Sequence, residues 1–255
     1  MSALAISLVV GGFMLTGALL GVLLRKILPE HHLNEHSKDV VRLGCALVAT
    51  ISALVLGLLI TSAKNTYDTQ RNEIRQMTAN LILLDSQLTR YGPETRSARE
   101  ALRNAIGPAI DRIWGKDAGK SLAGTPFQSN ATGELVYASI EELSPQSESK
   151  RSLKIQALQT TSNITESRVM LFEQSDGALP IALLAVLTFW LTILFSSFTL
   201  FSPLNPTGCA AVVVIALSAS SAIFLILEMN TPFGGLMQIS SAPVRNALAP
   251  LSAEP

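Results

Sequence analysis

Three histidines, His31, His32 and His36, stand together beside Glu30 and Glu35. His32 and His36 are one helical turn apart, a spacing able to hold a metal ion. A polar loop at a membrane surface accounts for the cluster better, so no metal site is expected. A second group carries charge: Lys64, Arg71 and Arg75, with Asp68 among them, recur at helical spacing. Fixed positive charges in such a row attract anions. A third group is small and weakly polar, Thr50, Ala53, Gly57 and Thr61, on the same register as the charges. No phosphate loop, dinucleotide fingerprint or Ser-His-Asp arrangement is present, and no apolar run supplies a base for a buried nucleophile. No enzymatic activity and no cofactor are expected. Net charge is zero and no basic block points to nucleic acid. Cys45 and Cys209 both fall in apolar runs, which is not a disulfide framework.

The elements that must position these groups begin with four apolar runs. Charged residues make up only 15% of the 255-residue chain, against about 25% in ordinary soluble domains. The charge is concentrated in the middle. The runs Ala3–Leu24, Leu43–Ile60, Pro180–Phe201 and Gly208–Leu227 contain no Asp, Glu, Lys or Arg, and each is long enough to cross a bilayer. The first lacks the basic start of a signal peptide and reads as an uncleaved anchor. The fold expected is all-α: a transmembrane hairpin over 1–62 (spans 3–24 and 43–60), an extramembrane helical stalk or bundle over 63–178, a second transmembrane hairpin over 179–228 (spans 180–201 and 208–227), and a C-terminal motif over 229–255. The missing intramembrane charge argues against a proton-driven transporter.

The second span is expected to continue beyond the bilayer, because no Gly or Pro interrupts 61–91 before Gly92-Pro93. Tyr67, Ile74, Met77, Leu81, Leu84, Leu88 and Tyr91 form a heptad-like seam. A helix from Asp39 to Tyr91 would be about 80 Å long. Glu94–Trp114 shows an apolar stripe at helical period, with Gly107-Pro108 expected to kink or divide it. The segment 115–130 reads as a loop and Gly133–Leu143 as a short helix. Ser147–Glu173 reads as a long helix that packs antiparallel on the extended second span.

Within the second span, Ala46, Thr50, Ala53, Gly57 and Thr61, followed by Lys64, Asp68, Arg71 and Arg75, lie on one helical face. Two readings stay open: a close-packing seam against another helix, or the wall of a pore leading to a charged mouth, which needs several copies of the helix. Gly17-x3-Gly21 on the first span is a weak helix-packing pattern. Thr188, Thr192, Ser196 and Thr199 on the third suggest hydroxyls bonded to their own backbone. At the end of the fourth span Glu228 requires a partner, with Arg71, Arg75 and Arg168 as candidates. Pro232, Phe233 and Gly235 turn the chain. Ser241 is placed to cap a short helix near Pro243, whose apolar face, Val244, Ala247, Leu248 and Leu251, would lie on the bilayer or dock on the helical domain.

Several phrases of the sequence are shared with a known family. They are Ser62-Ala63-Lys64 with Tyr67-Asp68, Leu83-Leu84-Asp85, Tyr91-Gly92-Pro93, Asp111-Arg112-Ile113-Trp114 and, most specific, 224–229 (FLILEM) followed by Pro232-Phe233-x-Gly235 and 239–243 (ISSAP). From the second span onward the chain resembles the bestrophin-like family of bacterial membrane proteins. The resemblance implies distant kinship to bestrophins, pentameric anion channels with four spans, a helical domain between spans two and three, and a pore lined by the second span. It implies a homo-oligomer in the lipid bilayer of the cell membrane, passing a small inorganic anion. The bulky Pro/Phe triplet of the bestrophin neck and the calcium-binding acidic cluster have no counterpart here, so no residue-level site carries over. Arg25, Lys26, Lys38 and Arg42 in the first loop favour a cytoplasmic loop and an external domain. The resemblance implies the reverse, with 63–178 and both termini cytoplasmic, and that is the orientation expected. The alternative function is a non-conducting scaffold or sensor whose helical domain binds a partner.

Overall fold

The computed structural model describes residues 2–29, 35–115, 131–175, 181–201 and 205–252. Among these residues eight α-helices follow in order: α1 (Ala3–Ile27), α2 (Glu35–Tyr91), α3 (Arg96–Trp114), α4 (Ala131–Glu141), α5 (Glu148–Ser175), α6 (Ile181–Phe201), α7 (Pro206–Met229) and α8 (Ala242–Ser252). No strand occurs among the described residues. Helices α1, α2, α6 and α7 are long and apolar enough to cross a membrane. In lipid each backbone N–H and C=O must be satisfied within its own segment, which selects the helix for all four runs. The chain divides into two compact units, Met1–Asn65 with Ala178–Asn230, and Thr66–Gly177 with Thr231–Pro255, so α2 contributes to both.

In the membrane unit α1 packs on α6 and α7. Ser2 caps α1, its Oγ accepting from the Ala5 N–H at 3.2 Å, and Arg25 and Lys26 sit in the last turn, where the helix dipole favours cations. Val10, Met14, Ala18, Phe195, Ala216 and Ile223 form one core cluster. Leu59, Ala63, Leu187 and Ile226 form another, which joins α2 to α6 and α7. The glycines of α1 decide how closely α6 approaches. A Cβ at Gly17 would stand 2.5 Å from the Thr192 carbonyl, and one at Gly21 would collide with the Ser196 carbonyl and Thr199 Oγ1. Thr199 Oγ1 donates across the contact to the Ala18 carbonyl at 2.7 Å, and Ser220 Oγ of α7 donates to the Ser7 carbonyl at 2.7 Å. Thr188 and Thr192 hydroxyls bond back to Leu184 and Thr188.

In the helical unit Ile74, Met77, Leu81, Leu84, Leu88 and Tyr91 of α2 are buried, with Tyr67 packed against them. Gly92, at φ 125°, ends α2 in a backbone region that side chains disfavour. A 3₁₀ turn over Pro93–Thr95 follows, and Thr95 Oγ1 lies 2.7 Å from the Leu88 carbonyl. Ala98, Leu102, Ile106, Ile110 and Ile113 bury the inner face of α3, and Arg99 pairs with Asp85 at 2.8 Å. Helix α3 runs undivided through Pro108. The residue before a proline is normally pushed out of the helical region by a clash that involves its Cβ, and Gly107 has none.

Helix α5 lies antiparallel to α2. Lys150, at its start, donates to Glu94 at 2.6 Å and sits 5.0 Å above the ring of Tyr91, at the end of α2. Farther along, Thr161–Arg168 share a cavity with Met77–Leu84. Lys154 Nζ donates to the Glu141 and Leu143 carbonyls at 2.6 and 2.9 Å and so fastens the end of α4. Helix α8 packs on α3, with Val244 in the core and Ala247 buried, so this part of its apolar face joins the helical unit, while the side chains of Leu248 and Leu251 lie outside the described residues.

Candidate functional site

Thr50, Ala53, Gly57 and Thr61 are all exposed on α2, and a Cβ added at Gly57 would meet nothing within 4 Å. The two hydroxyls fold back on their own helix: Thr50 Oγ1 donates to the Ala46 carbonyl and Thr61 Oγ1 to the Gly57 carbonyl, both at 2.9 Å. Ser52, Leu59 and Ala63, on the opposite face, are buried. The lane is therefore smooth and weakly polar, and the described helices leave it uncovered. Its neighbours on the exposed face are Leu43, Leu47, Leu54 and Leu58, each 63–73% exposed.

Of the three candidate mouth cations, Lys64 belongs to the membrane unit and Arg71 and Arg75 to the helical unit. All three are exposed, and Arg71 and Arg75 form no ion pair among the described residues. Asp68, one turn from Lys64 and Arg71, is half-buried. Of the histidine cluster, His31, His32 and the side chain of His36 lie outside the described residues, as do residues 116–130 of the predicted loop 115–130.

Residues 11–244 match the family model of the Bestrophin-like domain. The chain belongs to the bestrophin-like family. With four apolar spans and this membership it is a helical membrane protein. No curated protein and no solved structure matches it.

The C-terminal phrases of this bestrophin-like chain close a compact turn. The Gly234 N–H donates to the Thr231 carbonyl at 3.1 Å and the Ile239 N–H to the Pro232 carbonyl at 2.7 Å. Gly235 has φ 80°, which glycine adopts without steric cost. Phe233 is buried edge-on against Trp114, with ring centroids 5.8 Å apart, and Trp114 Nε1 donates to the Ile239 carbonyl at 2.7 Å. Ser241 precedes α8 and its carbonyl accepts from Arg245, but the hydroxyl that reaches the helix start is that of Ser240, 3.2 Å from the Ala242 N–H. Pro243 occupies the second position of α8. Glu228, at the end of α7, is buried and engaged.

Two features have weaker sequence signals. Gln70, Thr78 and Gln87 of α2 and Thr160 and Ser167 of α5 are buried polar residues. Gln70 falls four before Ile74, on the heptad register, and Thr160 and Ser167 continue a register through Leu153, Ala157, Ile164 and Leu171. The buried oxygens of Ser52 and Gln87 and the Nδ2 of Asn80 lack hydrogen-bond partners among the described residues.

Proposed function

We propose that the protein is a homo-oligomeric anion channel in which the α2 lane Thr50, Ala53, Gly57 and Thr61 lines the pore and Lys64, Arg71 and Arg75 concentrate anions at its mouth. The observation that supports this most is a contrast between two sets of small residues. Gly17 and Gly21 are filled by α6, whereas the lane on α2 is covered by nothing among the described residues. An uncovered row of small and hydroxyl-bearing residues on a span suits a water-filled axis shared by several copies. The spans carry no internal charge that would hold an anion too tightly to leave. The kinship of the family to bestrophins points the same way. The protein then resides in the cell membrane, with the helical unit and both termini in the cytoplasm.

Purified full-length protein in planar bilayers should give an anion-selective conductance, and Lys64→Glu should shift it toward cations. Silent bilayers containing folded, oligomeric protein would refute the channel. A second reading is a non-conducting scaffold or sensor, supported by the exposed leucines beside the lane, which would be buried if α2 packed on α2 of a second copy. Cysteines placed at Thr50, Ala53 and Gly57 separate the two: aqueous thiol reagents reach them in a pore and not in a packed seam.

A further inference from the structure

The turn that follows α7 is clamped at its base and bare at its tip. Pro232, Phe233 and Ile239 are buried, and the Ile239 N–H closes on the Pro232 carbonyl. Trp114 grips both arms, with its ring edge-on to Phe233 and its indole N–H on the Ile239 carbonyl. Residues 234–238, between the arms, are all exposed. Leu236 is 82% exposed, and its neighbour Met237 is exposed as well. Leu236 makes further interactions. They run through its backbone, because a leucine side chain has no polar atom, and they coexist with that outward exposure.

Exposure of that degree recurs in one setting. Among the described residues, the other large apolar side chains at least 70% exposed are Ile27, Leu43, Leu54 and Ile181, all on helices able to cross a membrane. There lipid covers what protein does not. Leu236 follows Met229, the last residue of α7, by seven positions, so full extension would carry it at most about 25 Å away. The chain is not extended: the Asn230 N–H bonds back to Ile226 and the Gly234 N–H to Thr231. The tip is therefore within reach of the headgroup layer where α7 emerges, a layer about 5–8 Å thick. Composition agrees. No Asp, Glu, Lys or Arg occurs between Glu228 and Arg245, although charge is dense between spans two and three. A charged tip would be held in water. This one gains by entering the boundary between headgroups and acyl chains, where apolar side chains leave water. A protein partner would also cover a leucine, but neither the short reach nor the missing charge calls for one.

We propose that Leu236 and Met237 form a lipid contact: the clamped turn seats its tip at the headgroup boundary of the bilayer that α7 crosses and so fastens the helical unit to the membrane surface. The proposal rests on α7 as a span and not on ion conduction. Full-length protein carrying Cys45→Ser and Cys209→Ser is labelled with a nitroxide at one introduced cysteine and placed in vesicles of phosphatidylcholine and phosphatidylglycerol. Leu236→Cys and Met237→Cys report on the tip. Phe189→Cys, near the middle of α6, reports on lipid. Leu83→Cys, exposed on α2 about 35 Å along the helix beyond Ile60, reports on water. Collisions with oxygen, which concentrates in lipid, are compared with collisions with a nickel chelate, which stays in water.

The expected oxygen-to-nickel ratio at both tip positions is several-fold above that at Leu83 and below that at Phe189, as a shallow lipid site requires. Adding Leu236→Asp to the protein labelled at Met237 should lower the ratio to the level of Leu83 while thermal unfolding shows the fold intact, because a carboxylate draws the tip back into water. Tip ratios equal to that of Leu83 would overturn the proposal. So would an immobilised label reached by neither reagent, the sign of a protein partner such as a second copy of the chain, or a ratio at Met237 that a folded Leu236→Asp variant leaves unchanged.

Discussion

Replacing Gly21 by alanine tests how closely α1 and α6 approach. The added Cβ would meet a backbone carbonyl, that of Ser196, together with Thr199 Oγ1. A carbonyl in a helix cannot rotate away, so the helices must separate. Overpacking of this kind costs about 1–3 kcal/mol. Separation also stretches the Thr199–Ala18 hydrogen bond, and interhelical bonds in membranes contribute about 0.6 kcal/mol on average. Against this, alanine improves helix propensity by up to about 1 kcal/mol. The net expectation is a loss of about 1–2 kcal/mol. Gly12 supplies the control on the same helix, since a Cβ there meets nothing within 4 Å. Gly12→Ala should be neutral or stabilising, leaving the two variants about 2–3 kcal/mol apart. Reversible unfolding in mixed micelles, followed by tryptophan fluorescence, measures both. If Gly21→Ala were as stable as Gly12→Ala, the close contact of α1 with α6 would be wrong.

Ser52→Ala removes a buried hydroxyl without a partner and should leave stability unchanged or raise it by up to about 1 kcal/mol, whereas a clear loss in the same unfolding assay would reveal a bond that the hydroxyl makes. Gly235→Ala forces a side chain into the left-handed region and should lower stability by about 1–2 kcal/mol, and an unchanged midpoint would show that the turn relaxes. The hydrogen bond from Lys150 holds the Glu94 carboxyl below its ordinary value of 4.5, so the ion pair favours the folded state above that pH, and the contribution disappears as pH falls through the lowered value. Glu94→Gln should therefore weaken the acid-side fall in thermal stability and change little at neutral pH; identical acid profiles for the two proteins would exclude the linkage.

Much of the architecture is written in local rules. Mean hydropathy along 3–24, 43–60, 180–201 and 208–227 is a property of consecutive residues, so the four spans were legible. The same holds for the long α2, because only Gly92-Pro93 supplies a break after Thr61, and for its core face, because Ile74 to Tyr91 repeat at the period of the helix. Gly107-Pro108 does not divide α3, because part of the proline's clash is with its neighbour's Cβ, and the neighbour is glycine. Gln70 is buried on the seam, and burial of an amide depends on what other elements bring to it.

What only tertiary structure decided is which surfaces are covered. Gly17, Gly21 and Gly57 look alike in sequence, yet α6 closes over the first two and no described residue covers the third. Thr199 and Thr61 are both threonines on spans, but one donates to another helix and the other to its own backbone. The apolar face of α8 suited a bilayer or a protein surface equally well, and Val244 and Ala247 of that face are buried in the helical unit, where α8 packs on α3. The cavity above Ile110 and Val136 had no sequence signal, since it arises from the mismatch in volume between helices distant in the chain. Periodicity says which side of a helix is apolar, small or charged; contact requires a second surface at the right distance, and that is set by how the whole chain packs.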